Sequence, residues 1–401
     1  MSGDRSGMPS VGVVGGSLGG LTVGLLLRDL GCRVRIYERS ASELQARGAG
    51  IAVLRSTWRY PVERLRVPAK RFSSSTQVIR FLDREGVVEA EIEQPYLFSS
   101  WNAIYRVLLE GFKAAQPDSY HLGADVFDIS SDTDEARVVL ADGREFTHDL
   151  VVCADGITSR ARAQLLPEIS PRYAGYIAWR GVIPEASLST TTYSRLHDAL
   201  TYQVLPESHI LVYPIPNVDG SVEPGSRLMN IVWYRNVPPN ELDAVLTDRD
   251  GKRRPVSLPP GQVQDELVAE MREFAAAHLA PPIAEVVTGI EEPFIQAVHD
   301  IEVPRMAFGR ICILGDAAFA VRPHAAAGTA KAAEDGWVLA AELQEAAGDV
   351  RRALAVWEEK QLALGESLLQ RTRMIGNGSQ FEGTFGSEDP NLIFGLYGPG
   401  D

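Results

Sequence analysis

Three carboxylates stand at the ends of apolar runs that are far apart in the chain. Glu38 closes "RVRIY", Asp155 closes "VVCA", and Asp316 follows "RICILG" more than 150 residues later. A carboxylate at a strand end can accept hydrogen bonds from the hydroxyls of a sugar-like chain. Glu38 lies 23 residues after Gly15, the first residue of Gly15-Gly16-Ser17-Leu18-Gly19-Gly20. Glycines there permit a tight turn and let the backbone approach a pyrophosphate. The helix that follows offers N–H donors and the positive end of its dipole. Ser17 replaces the second glycine of the fingerprint, and its hydroxyl can meet a phosphate. The spacing predicts a dinucleotide site built from Gly15, Gly16, Ser17, Leu18, Gly20 and Glu38. A simple NAD-binding domain has no use for a second, distant carboxylate aimed at the same crevice. Asp155, with Ser159 and Arg162 after it, and Asp316 are therefore candidates for the same site. Two plainer readings stay open: either aspartate can end its strand and cap the next helix, and Arg162 can be a solvated surface arginine.

After Asp316 the chain reads "AAFAVRPHAAAG", with little side-chain chemistry beyond Arg322, Pro323 and His324. Such a loop can lay its backbone against something flat. His324 is the histidine favoured as a site residue, with a structural role as the alternative. The other six histidines show no ligand spacing, so no metal site is expected. Trp179, Tyr202, Tyr213 and Trp233 are candidate ring contacts, although aromatics in strands more often fill cores.

These groups need a frame. "SVGVVGG" reads as a buried parallel strand, residues 19–30 as a helix and "RVRIY" as a second strand, a βαβ opening. Residues 99–115 begin with a Ser N-cap candidate and carry Ile104, Val107, Leu108 and Phe112 on one helical face. Asp142-Gly143 marks a hairpin turn. From about 173 to 236 the texture becomes aromatic and β-branched, which predicts an antiparallel sheet inserted in an α/β frame. A surface loop (248–261), a helix near 263–279 and two helices at about 328–346 and 350–373 follow. The last 25 residues, rich in Gly and Pro, are expected to lie as irregular chain on the surface.

The totals exclude several classes. The chain has 401 residues, 45% hydrophobic and 23% charged, which suggests two or three globular domains. A net charge of -14 argues against nucleic acid. The longest apolar run near the start, "LTVGLLL", is too short for a bilayer, and "MSGDRSGMPS" is no signal peptide. Three cysteines in apolar runs point to reduced thiols and a cytoplasmic setting. A homo-oligomer is compatible with these totals.

"GGSLGG" with Glu38-Arg39, "ADGITSRAR" (154–162) and "LGDAAFAVRP" (314–323) together resemble the three motifs of the single-component flavoprotein aromatic hydroxylases, the para-hydroxybenzoate hydroxylase fold. "YAGYIAWRG", "YPIP" (213–216), "RPHAAAG" and "FGLYGPG" are similar, within that family, to the dihydroxypyridine hydroxylases. The resemblance covers most of the chain and is weakest at 52–100 and 237–300.

It implies an α/β fold with an α+β insert: a Rossmann-like FAD-binding domain (8–71, 101–172 and 298–347), an inserted, mostly antiparallel substrate domain (72–100 and 173–297) and a C-terminal helix and tail (348–401). It implies that Glu38, with Arg39 beside it, serves the adenosine ribose and Asp316 the ribityl chain. Asp155 and Arg162 go with FAD and the nicotinamide cofactor, and Arg106 lies near FAD. Val126 meets the adenine through its backbone. "GAGI" (48–51), including Gly50, passes close to the flavin ring. The helix at Ala327, Gly328 and Thr329 points its N–H groups at the flavin N1–C2=O edge. Phe319 replaces a usual histidine, and a usual asparagine after Pro323 is absent.

The implied activity is hydroxylation of an electron-rich ring, a hydroxypyridine, a phenol or a larger pyridinol natural product. It uses FAD, NADH or NADPH, and O2, through a flavin C4a-hydroperoxide. Tyr213 and His324 are the proton-carrying candidates, and Pro323 belongs to a dry wall beside the flavin. A Baeyer–Villiger or epoxidising variant on the same fold, and a plain NAD-dependent dehydrogenase, are the rival readings. A flavin halogenase is disfavoured, because no Trp-x-Trp-x-Ile is present.

Overall fold

A computed structural model describes residues 7–44 and 50–400. The opening is βαβ as expected: β1 (Ser10–Val14), α1 (Leu18–Asp29) and β2 (Arg33–Glu38). After Ser10, β1 is apolar and buried because both of its faces are covered. It lies inside a six-stranded sheet ordered Ala307–Phe308, Ile311–Ile313, Leu150–Cys153, β1, β2, Tyr120–Leu122. All neighbours are parallel except the first pair. Val14 pairs with Cys153, and Cys153 with Ile313. Three strands distant in sequence therefore end side by side, and Gly15, Asp155 and Asp316 leave the sheet at one carboxyl edge.

The turn after β1 requires its glycines. Gly15 has φ +99, and a Cβ on Gly20 would lie 1.9 Å from the Gly15 carbonyl oxygen. The helix Trp101–Ala115 starts as predicted, with the Ser100 hydroxyl accepting from the Ala103 N–H at 3.1 Å. Ile104, Leu108 and Phe112 are buried on its inner face. Asp142-Gly143 joins the antiparallel strands Ala136–Leu140 and Glu145–His148 of a small three-stranded sheet.

The expected inserted sheet has nine strands: Ser257–Leu258, Phe294–Asp300, Arg172–Pro184, Leu228–Asn236, Ser208–Ile215, Ala199–Leu205, Ser74–Leu82, Val88–Ser100 and Gly50–Ala52, in spatial order. It is antiparallel apart from the pairing of Ala199–Leu205 with Ser74–Leu82. Its two faces differ. One packs on the helices Asp265–His278 and Pro281–Thr288 through Ile177, Trp179, Ile231 and Trp233. The other carries Tyr176, Tyr202, Leu211, Tyr213, Val232 and Tyr234 toward the parallel sheet. The helices Gly328–Glu345 and Val350–Asn377 complete the frame.

The tail corrects one expectation. It is irregular, but Phe385, Leu392, Phe394 and Leu396 are buried, each no more than 8% exposed. Their side chains join the aromatic face of the large sheet. Glycine and proline at 383–400 signal irregular backbone; they do not say whether the apolar residues between them find a core.

Candidate active site

A cavity of about 380 Å3 opens at the carboxyl edge of the parallel sheet and runs back along the aromatic face of the large one. Ser17, Leu18, Gly50, Tyr202, Tyr213, Asp316, Pro323, His324, Ala327, Gly328 and Thr329 all line it. A wider surface groove of 1230 Å3 runs beside Ser10, Arg33 and Asp149, at the opposite, amino-terminal edge. Ligands of open parallel sheets bind at the carboxyl edge, where a switch in strand order parts the loops.

Two helix starts face the cavity without a side-chain cap. α1 begins after Ser17, and the helix Gly328–Glu345 after Ala327; neither N-cap residue has a capping hydrogen bond. Their first-turn N–H groups are donors that the side chains leave to a ligand. Beneath the glycine turn, Glu38 Oε2 accepts from the Gly16 N–H at 2.9 Å and Oε1 from the Ser40 N–H at 2.8 Å. The carboxylate thus shapes the turn and keeps lone pairs to spare. Asp316 opens into the cavity while protein surrounds it. That enclosure raises its carboxyl above the usual range, against the pull of Lys331 and Arg162.

Asp155 stands just before the next helix. Its oxygens accept from the Ser159 hydroxyl (2.6 Å) and from the N–H groups of Arg160 (2.8 Å) and Ala161 (3.1 Å), so it caps the helix Arg160–Leu165. Its neighbours Ala154 and Gly156 line the cavity. Arg162 is not a surface arginine. It is buried and donates to the carbonyls of Ile157 (2.7 Å) and Ala317 (3.0 Å), tying the second motif to the third. Arg106 is exposed and donates to the Val218 carbonyl at 3.0 Å, outside the cavity lining. The Val126 carbonyl accepts from Arg160 at 2.7 Å. Arg39 is exposed, beside the buried Glu38. Gly48 and Ala49 of "GAGI" lie outside the described residues.

Two ring contacts expected from the sequence are corrected. Trp179 and Trp233 pair directly across neighbouring strands but on the helix-covered face. Side chains alternate along a strand, so Arg180, Val232 and Tyr234 face the cavity instead. Tyr213 lines the cavity. Its hydroxyl donates to the Gly50 carbonyl at 2.9 Å, and burial pushes it up to about 12. The same carbonyl accepts from Arg180 at 2.9 Å, while Asn230 accepts from the Gly50 N–H at 2.8 Å. These three side chains fix the strand that follows residues 45–49.

His324 lines the cavity, and its Nε2 lies 2.7 Å from the Tyr176 hydroxyl. Its Nδ1 is buried without a partner. Burial, with His209 and Arg322 nearby, holds the imidazole well below its usual pKa and so neutral. His209, Tyr234, Phe98, Phe385 and Phe394 also line the cavity and were not singled out from the sequence. Only the parity of the strands and the path of the tail bring them there. Ala326 has φ +52, a left-handed turn that a non-glycine residue rarely adopts, at the cavity edge. Among the described residues, no group of three or more His, Cys, Asp or Glu is arranged to hold a metal ion. No helix among them is long and apolar enough to cross a membrane.

Comparison with known proteins gives this geometry a family. A profile described as FAD binding domain-like matches residues 173–300. The chain is 34% identical over 395 residues to a 2,6-dihydroxypyridine 3-monooxygenase from Paenarthrobacter nicotinovorans, covering 96% of this chain and 95% of that one. The chain belongs to the single-component FAD-dependent aromatic hydroxylases. The hydroxylase is also 29% identical to a 6-hydroxynicotinate 3-monooxygenase from Pseudomonas fluorescens, over 96% of this chain and 94% of the relative. Its structure resembles that of 2,6-dihydroxypyridine-3-hydroxylase from Arthrobacter nicotinovorans, with a TM-score of 0.90 at 32% identity and 97% of both chains covered. A salicylate hydroxylase in complex with substrate shares the fold at a TM-score of 0.74 and 21% identity, over 97% of this chain and 92% of that one. The hydroxylase is an FAD-dependent monooxygenase with NAD(P)H and O2 as co-substrates. Family membership sets aside the dehydrogenase reading and favours ring hydroxylation over the Baeyer–Villiger variant.

Proposed function

We propose that this hydroxylase inserts one oxygen atom of O2 into a hydroxypyridine or a related phenol. The observation that carries this reading is a single cavity with two uncapped helix starts at one end and an aromatic chamber at the other. The residues present fit FAD. The N–H groups after Ser17 suit a pyrophosphate, Glu38 a ribose, and Asp316 a ribityl chain. The start of the helix Gly328–Glu345 suits the flavin edge that gathers negative charge. Val126, Arg106 and Arg162 remain candidates for the adenine and phosphate region.

FAD, when bound, accepts reducing equivalents from NAD(P)H and supplies the activated oxygen. The protein's task is to hold the ring, exclude water and place one proton. Ala326, Ala327 and Ala332 line the cavity with side chains that offer water no hydrogen bonds. In the tautomer whose Nε2–H donates to Tyr176, His324 Nδ1 is an acceptor for a ring hydroxyl. Drawing that proton away raises electron density on the ring. Relatives named for dihydroxypyridine and hydroxynicotinate support the substrate class. The expected domains are supported by the strands themselves: residues 10–38, 120–153 and 307–313 build the parallel sheet, and 74–100 and 172–300 most of the large one. A cytoplasmic setting is supported by three buried free thiols, Cys32, Cys153 and Cys312.

The test is NAD(P)H oxidation by the flavin-loaded protein with a panel of hydroxypyridines and phenols, following O2 uptake and hydrogen peroxide. At least one ring is expected to stimulate oxidation and appear as hydroxylated product. Stimulation by none of them, or peroxide as the sole product, would overturn the reading.

A further inference from the structure

The chain's last turn of sequence closes the aromatic chamber. Phe385 and Phe394 line the cavity, although neither belongs to a helix or strand. Phe385 stacks on His209 with ring centroids 4.5 Å apart and lies 5.8 Å from Tyr202. Phe394 lies 4.9 Å from Tyr96 and meets Phe98 edge-on at 6.4 Å. Phe98 in turn stacks on Tyr213 at 4.1 Å. The two phenyl rings thus meet the aromatic face of the large sheet at two places along the chamber.

The tail is held at several separate points. The Phe394 N–H donates to the Tyr96 hydroxyl at 2.9 Å, on the large sheet. The Gly395 N–H donates to the Ala325 carbonyl at 3.3 Å, in the loop beside His324. Arg371, on the long C-terminal helix, donates to the carbonyls of Gly395 (2.6 Å) and Ile393 (2.7 Å), and its guanidinium lies over the Tyr397 ring at 3.6 Å. Further on, the Ser56 hydroxyl lies 3.3 Å from the Gly400 carbonyl. A free surface tail has no need of anchors to sheet, loop and two helices. These fix Phe394 on both sides of its own backbone, which positions one ring rather than merely covering a surface.

We propose that the C-terminal segment supplies the wall that sets ring size in this hydroxylase, with Phe385 and Phe394 as the specificity-determining residues. This rests on the reading of the chamber as the ring site. An aromatic wall selects by volume and by stacking. A bicyclic ring is refused because the phenyl groups occupy its space, and a monocyclic ring is kept because they stack against it.

The experiment compares a monocyclic hydroxypyridine with a bicyclic hydroxyquinoline in wild-type protein, Phe394→Ala, Phe385→Ala and the milder Phe394→Leu. Retained flavin absorbance and melting temperature report folding in each. Removing one ring is expected to shift the kcat/KM ratio toward the bicyclic substrate by about tenfold or more. Peroxide release with the monocyclic ring should rise, because water enters the enlarged chamber. An unchanged ratio in variants that keep their flavin and still turn over the hydroxypyridine would overturn the wall and leave the functional reading standing. Wild-type protein that holds FAD but responds to no ring would overturn that reading, and the wall with it.

Discussion

The Gly315 N–H donates to Asp335 Oδ2 at 2.8 Å, and the same oxygen receives the Lys331 ammonium at 2.9 Å. Lys331 and Asp335 are one helical turn apart and essentially unexposed. The pair sits behind the strand end that presents Asp316. Phe319 lies under the ammonium at 4.9 Å, in the position where a histidine is usual for the family. Asp335→Ala is expected to cost about 3–5 kcal/mol, because it strands a buried cation and frees the Gly315 N–H. A double replacement, Lys331→Met with Asp335→Leu, should recover much of that loss. Denaturant unfolding checks both, and a double variant no more stable than the single one would deny the coupling.

Glu38 is predicted to matter for cofactor retention as well as for the shape of the turn. Both of its oxygens hold backbone N–H groups and keep lone pairs to spare for a ribose hydroxyl. Glu38→Ala should weaken FAD binding by about tenfold or more, the worth of one hydrogen bond to a charged group. Fluorescence of released flavin measures this. Unaltered affinity would confine Glu38 to the turn.

Tyr213→Phe removes one of two donors to the Gly50 carbonyl and leaves Arg180 in place. The expected loss is about 1 kcal/mol in stability. The pH profile of turnover should keep its shape, since the hydroxyl is already pushed up to about 12. Disappearance of a limb of that profile would make Tyr213 a proton carrier after all.

Acid should destabilise the protein well above the range in which carboxylates titrate. Burial lowers His148 to about 4 and His209 to about 3, so both stay neutral in the fold. The unfolded chain takes up a proton at each near pH 6.5, whereas the folded chain does not until far lower pH. The unfolded state therefore binds more protons in that window, and stability falls as pH drops from about 6.5 toward 4. Each such histidine contributes up to about 1.4 kcal/mol per pH unit. Melting temperatures between pH 7 and 4 test this, and His209→Gln should flatten the curve. A flat wild-type curve would contradict the neutral assignment.

Much of the cofactor end was legible because its signals are local. A glycine turn between a strand and a helix, with an acid at the end of the next strand, is written within thirty residues. Each glycine answers a close approach that the backbone itself imposes. Asp316 could be picked out as a carboxylate at a strand end followed by small residues, and it lines the cavity.

The aromatic end was not legible in the same way. Trp179 and Arg180 are neighbours in sequence, and a strand sends them to opposite faces; which face meets the cavity depends on what packs behind it. The helices Asp265–His278 and Pro281–Thr288 decide that, and they lie far along the chain. That Asp155 caps a helix shows only in the structure, where the helix Arg160–Leu165 turns its N–H groups onto it. Phe385 and Phe394 gave no periodic signal, because irregular chain has no period. The sequence by itself determined the family, the parallel frame and the glycine turn, since these rest on short-range geometry. Only the tertiary structure decided which aromatics form the chamber, because strand parity and tail path are set by contacts between residues hundreds of positions apart.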